Sequence, residues 1–165
     1  MKTVTATTTL DDIDEFLADI ETISEATGAV VQCFDGAYVA GDRHLRRAVT
    51  LAARAREQGT AVAHDPAIEI LLYAAGRRQI NQALEMGVDA GESDVVGVVT
   101  GGDEQAAAQQ LADRLGTATT DGEGACGDEA TIRSFFSITE TELAVVDCDI
   151  EALVLERVAL LDVKK

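Results

Sequence analysis

Lysine, tryptophan and proline are scarce or absent in this sequence. It has no tryptophan, one proline and only three lysines, at Lys2, Lys164 and Lys165, so arginine supplies the positive charge between its two ends. Acidic residues outnumber basic ones by 30 to 13, which gives a formal net charge of −17 at pH 7. Such a chain repels itself when salt is removed, because its carboxylates are then unscreened. We expect a halophilic protein; an ordinary acidic cytoplasmic protein is the alternative.

Cysteine and long apolar runs are also missing or rare. Cys33, Cys126 and Cys148 are odd in number and far apart, which predicts a reducing compartment rather than a disulfide framework. No run of about 18 apolar residues exists, and the Thr-rich start MKTVTATTTL lacks the apolar core of a signal peptide. We therefore expect a cytoplasmic protein without a membrane segment. No spacing resembles a Zn²⁺, Ca²⁺ or Mg²⁺ site, and we expect no metal and no cofactor.

The sequence offers few catalytic groups. Only His44 and His64 could act as a base near neutral pH, and packing or hydrogen bonding explains each of them more readily. No serine lies in a GxSxG elbow. The turn Gly101-Gly102-Asp103 lacks the Lys-Ser/Thr of a P-loop, so a plain turn capped by Asp103 is favoured over a phosphate cradle. We expect a protein that is not an enzyme; a small-molecule enzyme using this turn is the weaker alternative.

Apolar periodicity predicts irregularly alternating helices and strands, with more helix than strand. The predicted strands are 2–8, 29–34, 60–64 and 94–100. The first predicted helix is opened by Thr9 or Asp11 and ends near Gly28, and the next three are 43–58, 103–115 and 128–136. A capping box of Thr139 and Glu142 opens a further helix, and an apolar stripe predicts a last one over 150–161. Residues 158–163 could form either helix or strand. The stretch 116–129 is rich in Gly, Thr and acid and is predicted to be an exposed loop. We expect an α/β (α+β) fold, a small mixed β-sheet packed with several helices, in a single compact domain over residues 1–165.

Residues 65–87 are predicted to form two short helices that meet at Gly76. Asp65 can cap the first helix, whose first residue is the chain's only proline, Pro66. Three donor-rich side chains follow the glycine, at or near a helix N-terminus: Arg77, Arg78 and Gln79. Because the peptide dipoles already make that end of a helix positive, two adjacent arginines there indicate an anionic partner more readily than a local ion pair.

A second group of arginines lies on the predicted helix 43–58. Arg43, Arg46, Arg47 and Arg54 fall within an arc of about 100°, opposite its apolar residues. Residues 41–80 hold seven arginines against four acids, in a chain whose net charge is −17. A solvated surface explains arginines on an isolated helix, but a positive island in so acidic a protein indicates a contact with an anion.

Three blocks of the sequence, spanning roughly residues 30–163, resemble the small accessory subunit of the KEOPS/EKC complex, the PRPK-binding protein family. In order, they are DGAYVAGDRHLRRAVTLAA, IEILLYAAGRRQINQALEMGV and LVLERVALLDV. The middle block is the specific one, with Glu69-Ile70-Leu71-Leu72, Gly76-x-Arg78-Gln79-Ile80 and Ala83 as that family has them. The region 104–150 resembles the family only in its pattern of helices. With the composition, the resemblance indicates a member of haloarchaeal type.

The resemblance implies a non-catalytic partner, a monomer within a hetero-oligomer. The family binds the protein-kinase-like ATPase of the complex, modulates its activity and supports threonylcarbamoylation of adenosine 37 in tRNA (t6A37). Archaeal members also bind tRNA themselves, by its 3′ CCA end. Chemistry in that system belongs to another subunit, which agrees with the scarcity of catalytic groups.

The candidate RNA-binding residues are Arg43, His44, Arg77, Arg78 and Gln79. Arg78 and Gln79 stand in the family motif, whereas Arg77 falls at its variable position and is proposed on charge alone. In concentrated salt the Debye length falls to ~3 Å or less, so RNA must be held by short-range stacking and hydrogen bonds, which a single-stranded 3′ end provides. The alternative is a docking module for the kinase-like subunit without RNA binding, with its arginines solvated or paired with its own carboxylates.

Overall fold

The computed structural model describes residues 1–116, 118–121, 127–147 and 149–163. The α-helices in these ranges are α1 Ile13–Thr27, α2 Asp42–Glu57, α3 Pro66–Ala75, α4 Ile80–Ala83, α5 Glu104–Leu115, α6 Glu129–Phe135, α7 Glu140–Val145 and α8 Ile150–Val163. The strands are β1 Lys2–Leu10, β2 Val30–Asp35, β3 Gly91–Thr100 and β4 Thr119–Thr120. The predicted α/β class is thus confirmed. None of these helices has the length and apolar character needed to cross a membrane.

The chain divides into two compact units. Met1–Gly36 with Gly87–Ala125 form the first, which we call the sheet unit, and Ala37–Met86 with Cys126–Lys165 form the second, the helical unit. The expected single domain stays a prediction. Residues 117 and 122–126 of the predicted loop 116–129 lie outside the described residues, whereas Thr119–Thr120 form strand β4, so the prediction of a loop is wrong there. Cys126 and Cys148 also lie outside the described residues, and Cys33 is a buried free thiol.

The sheet unit carries all four strands, in the order β2-β3-β1-β4. Each pair is antiparallel, so no parallel pair of a mixed sheet occurs among the described strands. Alternate β1 side chains, such as Val4 and Ala6, lie in one apolar core with Phe16 of α1 and Leu111 of α5. Val95 and Val99 of β3 belong to the same core. The whole valine run of β3 is buried, because a strand hydrogen-bonded on both sides is buried and rich in β-branched residues.

The glycine turn after β3 is a plain capped turn, as the sequence favours. The Asp103 carboxylate accepts the N–H of Ala106 at 3.0 Å and so caps α5. The N–H of Gly101 donates to the Glu104 carboxylate at 3.0 Å, and the Met1 amino group pairs with the same carboxylate at 2.9 Å. Because the N–H of Gly101 already donates to a carboxylate, it is not available to bind a phosphate at this turn.

The helical unit is built on α3. Every α3 residue from Glu69 to Ala75 is buried, and α2 and α8 pack against it. As predicted, Asp65 accepts the N–H of Ala67 at 2.7 Å and caps the helix ahead of Pro66. The Thr139/Glu142 capping box is present at α7, and α8 stays helical to Val163, which settles 158–163 as helix.

The strand predicted at 60–64 is wrong. The segment has no ladder partner among the described residues. Two of its N–H groups instead donate to the carboxylate of Glu69, from Val62 at 3.0 Å and from Ala63 at 2.7 Å. Glu69 is only 1% exposed, and a buried carboxylate needs such donors. This family-motif residue therefore fixes the loop between α2 and α3.

Candidate nucleic-acid interface

The Gly76 turn ends α3 in a left-handed residue. Gly76 has φ 60° and ψ 31°, its N–H donates to the carbonyl of Tyr73, and the N–H of Arg77 donates to that of Leu72. These two bonds form a Schellman motif, which glycine adopts without the steric cost of a Cβ. A Cβ at this position would also lie 3.4 Å from the carbonyl oxygen of Arg157 on α8. The sequence thus stops α3 here, and Arg78 and Gln79, which follow the turn, are exposed.

A cleft of about 360 Å³ opens beside this turn, within the helical unit. Its lining contains both donor side chains and apolar side chains. The lining side chains that matter here are Arg77, Arg78, Gln79, Gln82, Phe136, Arg157, Leu160 and Leu161. The volume falls within the range of ligand pockets, about 300 to 1,000 Å³.

Arg78 and Gln79 are the accessible donors of the cleft. Both are exposed, and neither side chain makes a hydrogen bond or ion pair with any residue that the structure describes. Arg77 differs, since it is half-buried and its Nη2 donates to the carbonyl oxygen of Phe135 at 2.6 Å. Its guanidinium also lies over the Phe135 ring, 5.1 Å from the centroid. Arg77 therefore fixes the wall of the cleft, and Arg78 is the guanidinium available to a ligand.

Arg157 lines the same cleft. Its Nε donates to the carbonyl of Phe136 at 3.3 Å, and its Nη2 donates to the Glu142 carboxylate at 2.6 Å. That bond, together with bonds from the N–H and hydroxyl of Thr139, lowers the pKa of Glu142 to about 2. Arg77 and Arg157 thus bind successive carbonyls at the C-terminal end of α6, where cations are favoured.

His44 neither reaches the surface nor lines the cleft. Its side chain is wholly buried, so the prediction of direct RNA contact by His44 is corrected. The N–H of Ala40 donates to Nδ1 at 3.2 Å, which leaves the proton on Nε2 to donate to the carbonyl of Ala74 at 2.7 Å. Burial lowers the pKa of His44 to about 4. His44 is a structural link between α2 and the last turn of α3.

Arg43 is exposed but engaged. It pairs with Glu151 at 3.2 Å and with Asp149 at 3.7 Å. Glu151 in turn accepts the backbone N–H of His44 at 3.1 Å, and so caps α2, whose N-cap residue Gly41 has no side chain. Neither Arg43 nor His44 lines the cleft, so the two predicted groups do not form one site among the described residues.

Sequence reasoning missed the side chains from the C-terminal third of the chain. Phe136, Arg157 and Leu160 reach the cleft from far along the sequence. One signal was present, since Arg157 stands in the block LVLERVALLDV and interrupts an apolar stripe. No group of three or more His, Cys or carboxylate residues that could hold a metal occurs in the described ranges.

Comparison with known proteins gives one family. The model of the family described as kinase binding protein CGI-121 matches residues 9–162, which is nearly the whole chain. No curated protein matched the sequence. The matched span includes all the residues that line the cleft.

Proposed function

We propose, from the premise that this chain belongs to the kinase binding protein CGI-121 family, that it is a non-catalytic adaptor between a kinase-like ATPase and tRNA. The family assignment confirms the resemblance seen in the three sequence blocks, and the family is one that binds a protein kinase. In the proposal, the partner is the protein-kinase-like ATPase of KEOPS, and the adaptor also holds the 3′ CCA end of tRNA. Its role is then to support t6A37 modification.

One observation carries the RNA part of the proposal, the lack of a carboxylate partner at Arg78. Half of the arginines form ion pairs with carboxylates: Arg43, Arg46, Arg114, Arg133 and Arg157. The others have no such pair within the described residues, and all of them lie between Arg47 and Arg78. Acids outnumber bases by 30 to 13, yet Arg47, Arg54, Arg56 and Arg78 are exposed and have no carboxylate partner among the described residues. Arg78 is the one at the cleft.

The cleft has the chemistry that a single-stranded RNA end requires. A guanidinium plane stacks on a base and binds phosphate through two parallel hydrogen bonds. The amides of Gln79 and Gln82 offer both donors and acceptors to base edges. Leu160 and Phe136 add apolar surface to the lining. Stacking and hydrogen bonds to base edges are short-range and persist in concentrated salt.

A protein-docking module without RNA binding is the second candidate. The observation that favours it is the exposure of two apolar residues near the turn, Ile80 at the start of α4 and Leu84 directly after its end. Ile80 is 45% exposed and Leu84 is 54% exposed. Large exposed apolar side chains close together are typical of protein contacts.

Capture on the immobilised full-length protein separates the two candidates. We expect the protein to retain both the purified kinase-like ATPase of the complex and tRNA, and to release tRNA that lacks its 3′ CCA. The incubation is done at the salt concentration at which the protein is folded. Retention of the ATPase with no retention of tRNA would leave only the docking module. Equal retention of tRNA with and without CCA would move the RNA contact away from the 3′ end.

A further inference from the structure

The outer face of α2 carries two exposed arginines that do not line the cleft. Arg47 and Arg54 are both exposed, and their side chains make no hydrogen bond or ion pair with the part of the chain that the structure describes. Their neighbours on the helix are engaged, since Arg46 pairs with Asp42 and Arg43 pairs with Glu151. Two guanidinium groups therefore stand in solvent on a protein of net charge −17.

The spacing of this pair suits an extended anion. Arg47 and Arg54 are seven residues apart, which places them on the same side of the helix about 10 Å apart along its axis. Each guanidinium presents planar donors that match a phosphate. Two such groups in line can contact separate phosphates of one nucleic-acid backbone.

The absence of apolar anchors argues for a nucleic acid rather than a protein. None of the large exposed hydrophobic residues in the described ranges lies on α2: they are Leu17, Val62, Ile80, Leu84, Val145, Leu160 and Val163. Protein interfaces depend on buried apolar or aromatic anchors. Contacts to a phosphate backbone need only charge and donors, as between Arg47 and Arg54, where the exposed side chains are Thr50 and Ala53.

We propose that Arg47 and Arg54 form a second RNA contact, which binds the sugar–phosphate backbone of the tRNA whose 3′ end occupies the cleft. This inference rests on the proposed function. The α2 face and the Gly76 turn belong to the same helical unit, and the bond from His44 to the carbonyl of Ala74 joins α2 to the end of α3. The contact does not depend on base sequence, because the α2 face meets only the backbone.

The test compares two RNAs over a series of salt concentrations. One is full-length tRNA, and the other is a short single-stranded oligonucleotide that ends in CCA. The double variant Arg47→Gln/Arg54→Gln should bind tRNA about tenfold more weakly, with a slope of log affinity against log salt that is smaller by about 0.7 to 0.9 per lost contact. Binding of the oligonucleotide should not change, since it reaches only the cleft.

The matched control is Gln105→Glu/Gln110→Glu on the exposed face of α5, which makes the same change in net charge. If tRNA affinity falls equally in this control, the loss comes from the net charge of the protein and not from Arg47 and Arg54, and the proposal is overturned. Unchanged tRNA affinity in the arginine variant, or an equal loss for both RNAs, would also overturn it. The proposal would also be overturned if the arginine variant lost binding of the kinase-like ATPase but kept its RNA binding. If the wild-type protein binds neither RNA, the proposed function itself fails. For the variants, unchanged melting temperatures exclude unfolding as the cause of a loss of binding.

Discussion

Replacement of Arg78 by glutamate is expected to abolish the retention of tRNA, with a loss of affinity of about a hundredfold or more. The variant removes the guanidinium available in the cleft and puts a carboxylate where RNA phosphate or base acceptors would lie. The melting temperature should stay unchanged, because the Arg78 side chain has no bonded partner among the described residues. Filter binding at working salt measures the first quantity, and circular dichroism measures the second. The variant should still bind the kinase-like ATPase.

Two further variants make this result specific. Arg78→Gln keeps a donor without the charge and should fall between the wild type and Arg78→Glu. The exposed pair Gln105→Glu/Gln110→Glu changes the net charge by the same amount on α5 and should bind tRNA normally. Wild-type retention by Arg78→Glu would remove Arg78 from the site. Loss of the fold would make Arg78 a structural residue.

The second large effect is a loss of stability in mild acid through His44. Its usual pKa is 6.5 and its pKa in the folded protein is about 4, so the unfolded chain takes up the proton first as the pH falls. The stabilisation is therefore complete above pH 6.5 and is lost between pH 6.5 and about 4. The difference corresponds to about 3 kcal/mol of unfolding free energy. The main physical cause of the lowered pKa is burial, which disfavours the charged ring. Protonation would also turn Nδ1 into a donor facing the N–H of Ala40.

Denaturant titrations at several pH values, at constant salt, measure this change in the free energy of unfolding. His44→Gln should be less stable than the wild type at pH 7 but should lose less stability on going to pH 4. His64 is the only other histidine and is exposed, so His64→Gln should follow the wild-type curve. Parallel curves for the wild type and His44→Gln would show that His44 does not titrate in this way.

Local signals predicted the turn at the centre of the site. The cap by Asp65, the proline at the start of α3 and the stop at Gly76 all act within a few residues, so they can be recognised in the sequence. The exposure of Arg78 and Gln79 follows from the same turn. The antiparallel order of the strands needed contacts between distant parts of the chain, and apolar periodicity alone does not specify those.

The errors share one cause, which is a partner that lies elsewhere in the sequence. Residues 60–64 look like a strand, but the buried Glu69 carboxylate takes their N–H groups. Arg43 is predicted to contact RNA, and the sequence gives no sign of its ion pair with Glu151, which lies more than a hundred residues further along the chain. His44 was grouped with the arginines by its position, yet the carbonyl of Ala74 draws its ring inward.

The most direct test of the account is a photocrosslink from the RNA end to the protein. A tRNA with an azido group on its 3′-terminal adenosine is irradiated with the full-length protein at working salt, and mass spectrometry locates the modified residues. The account predicts crosslinks within residues 76–82, and their loss in the presence of unmodified tRNA. Competed crosslinks found only outside the cleft would contradict it.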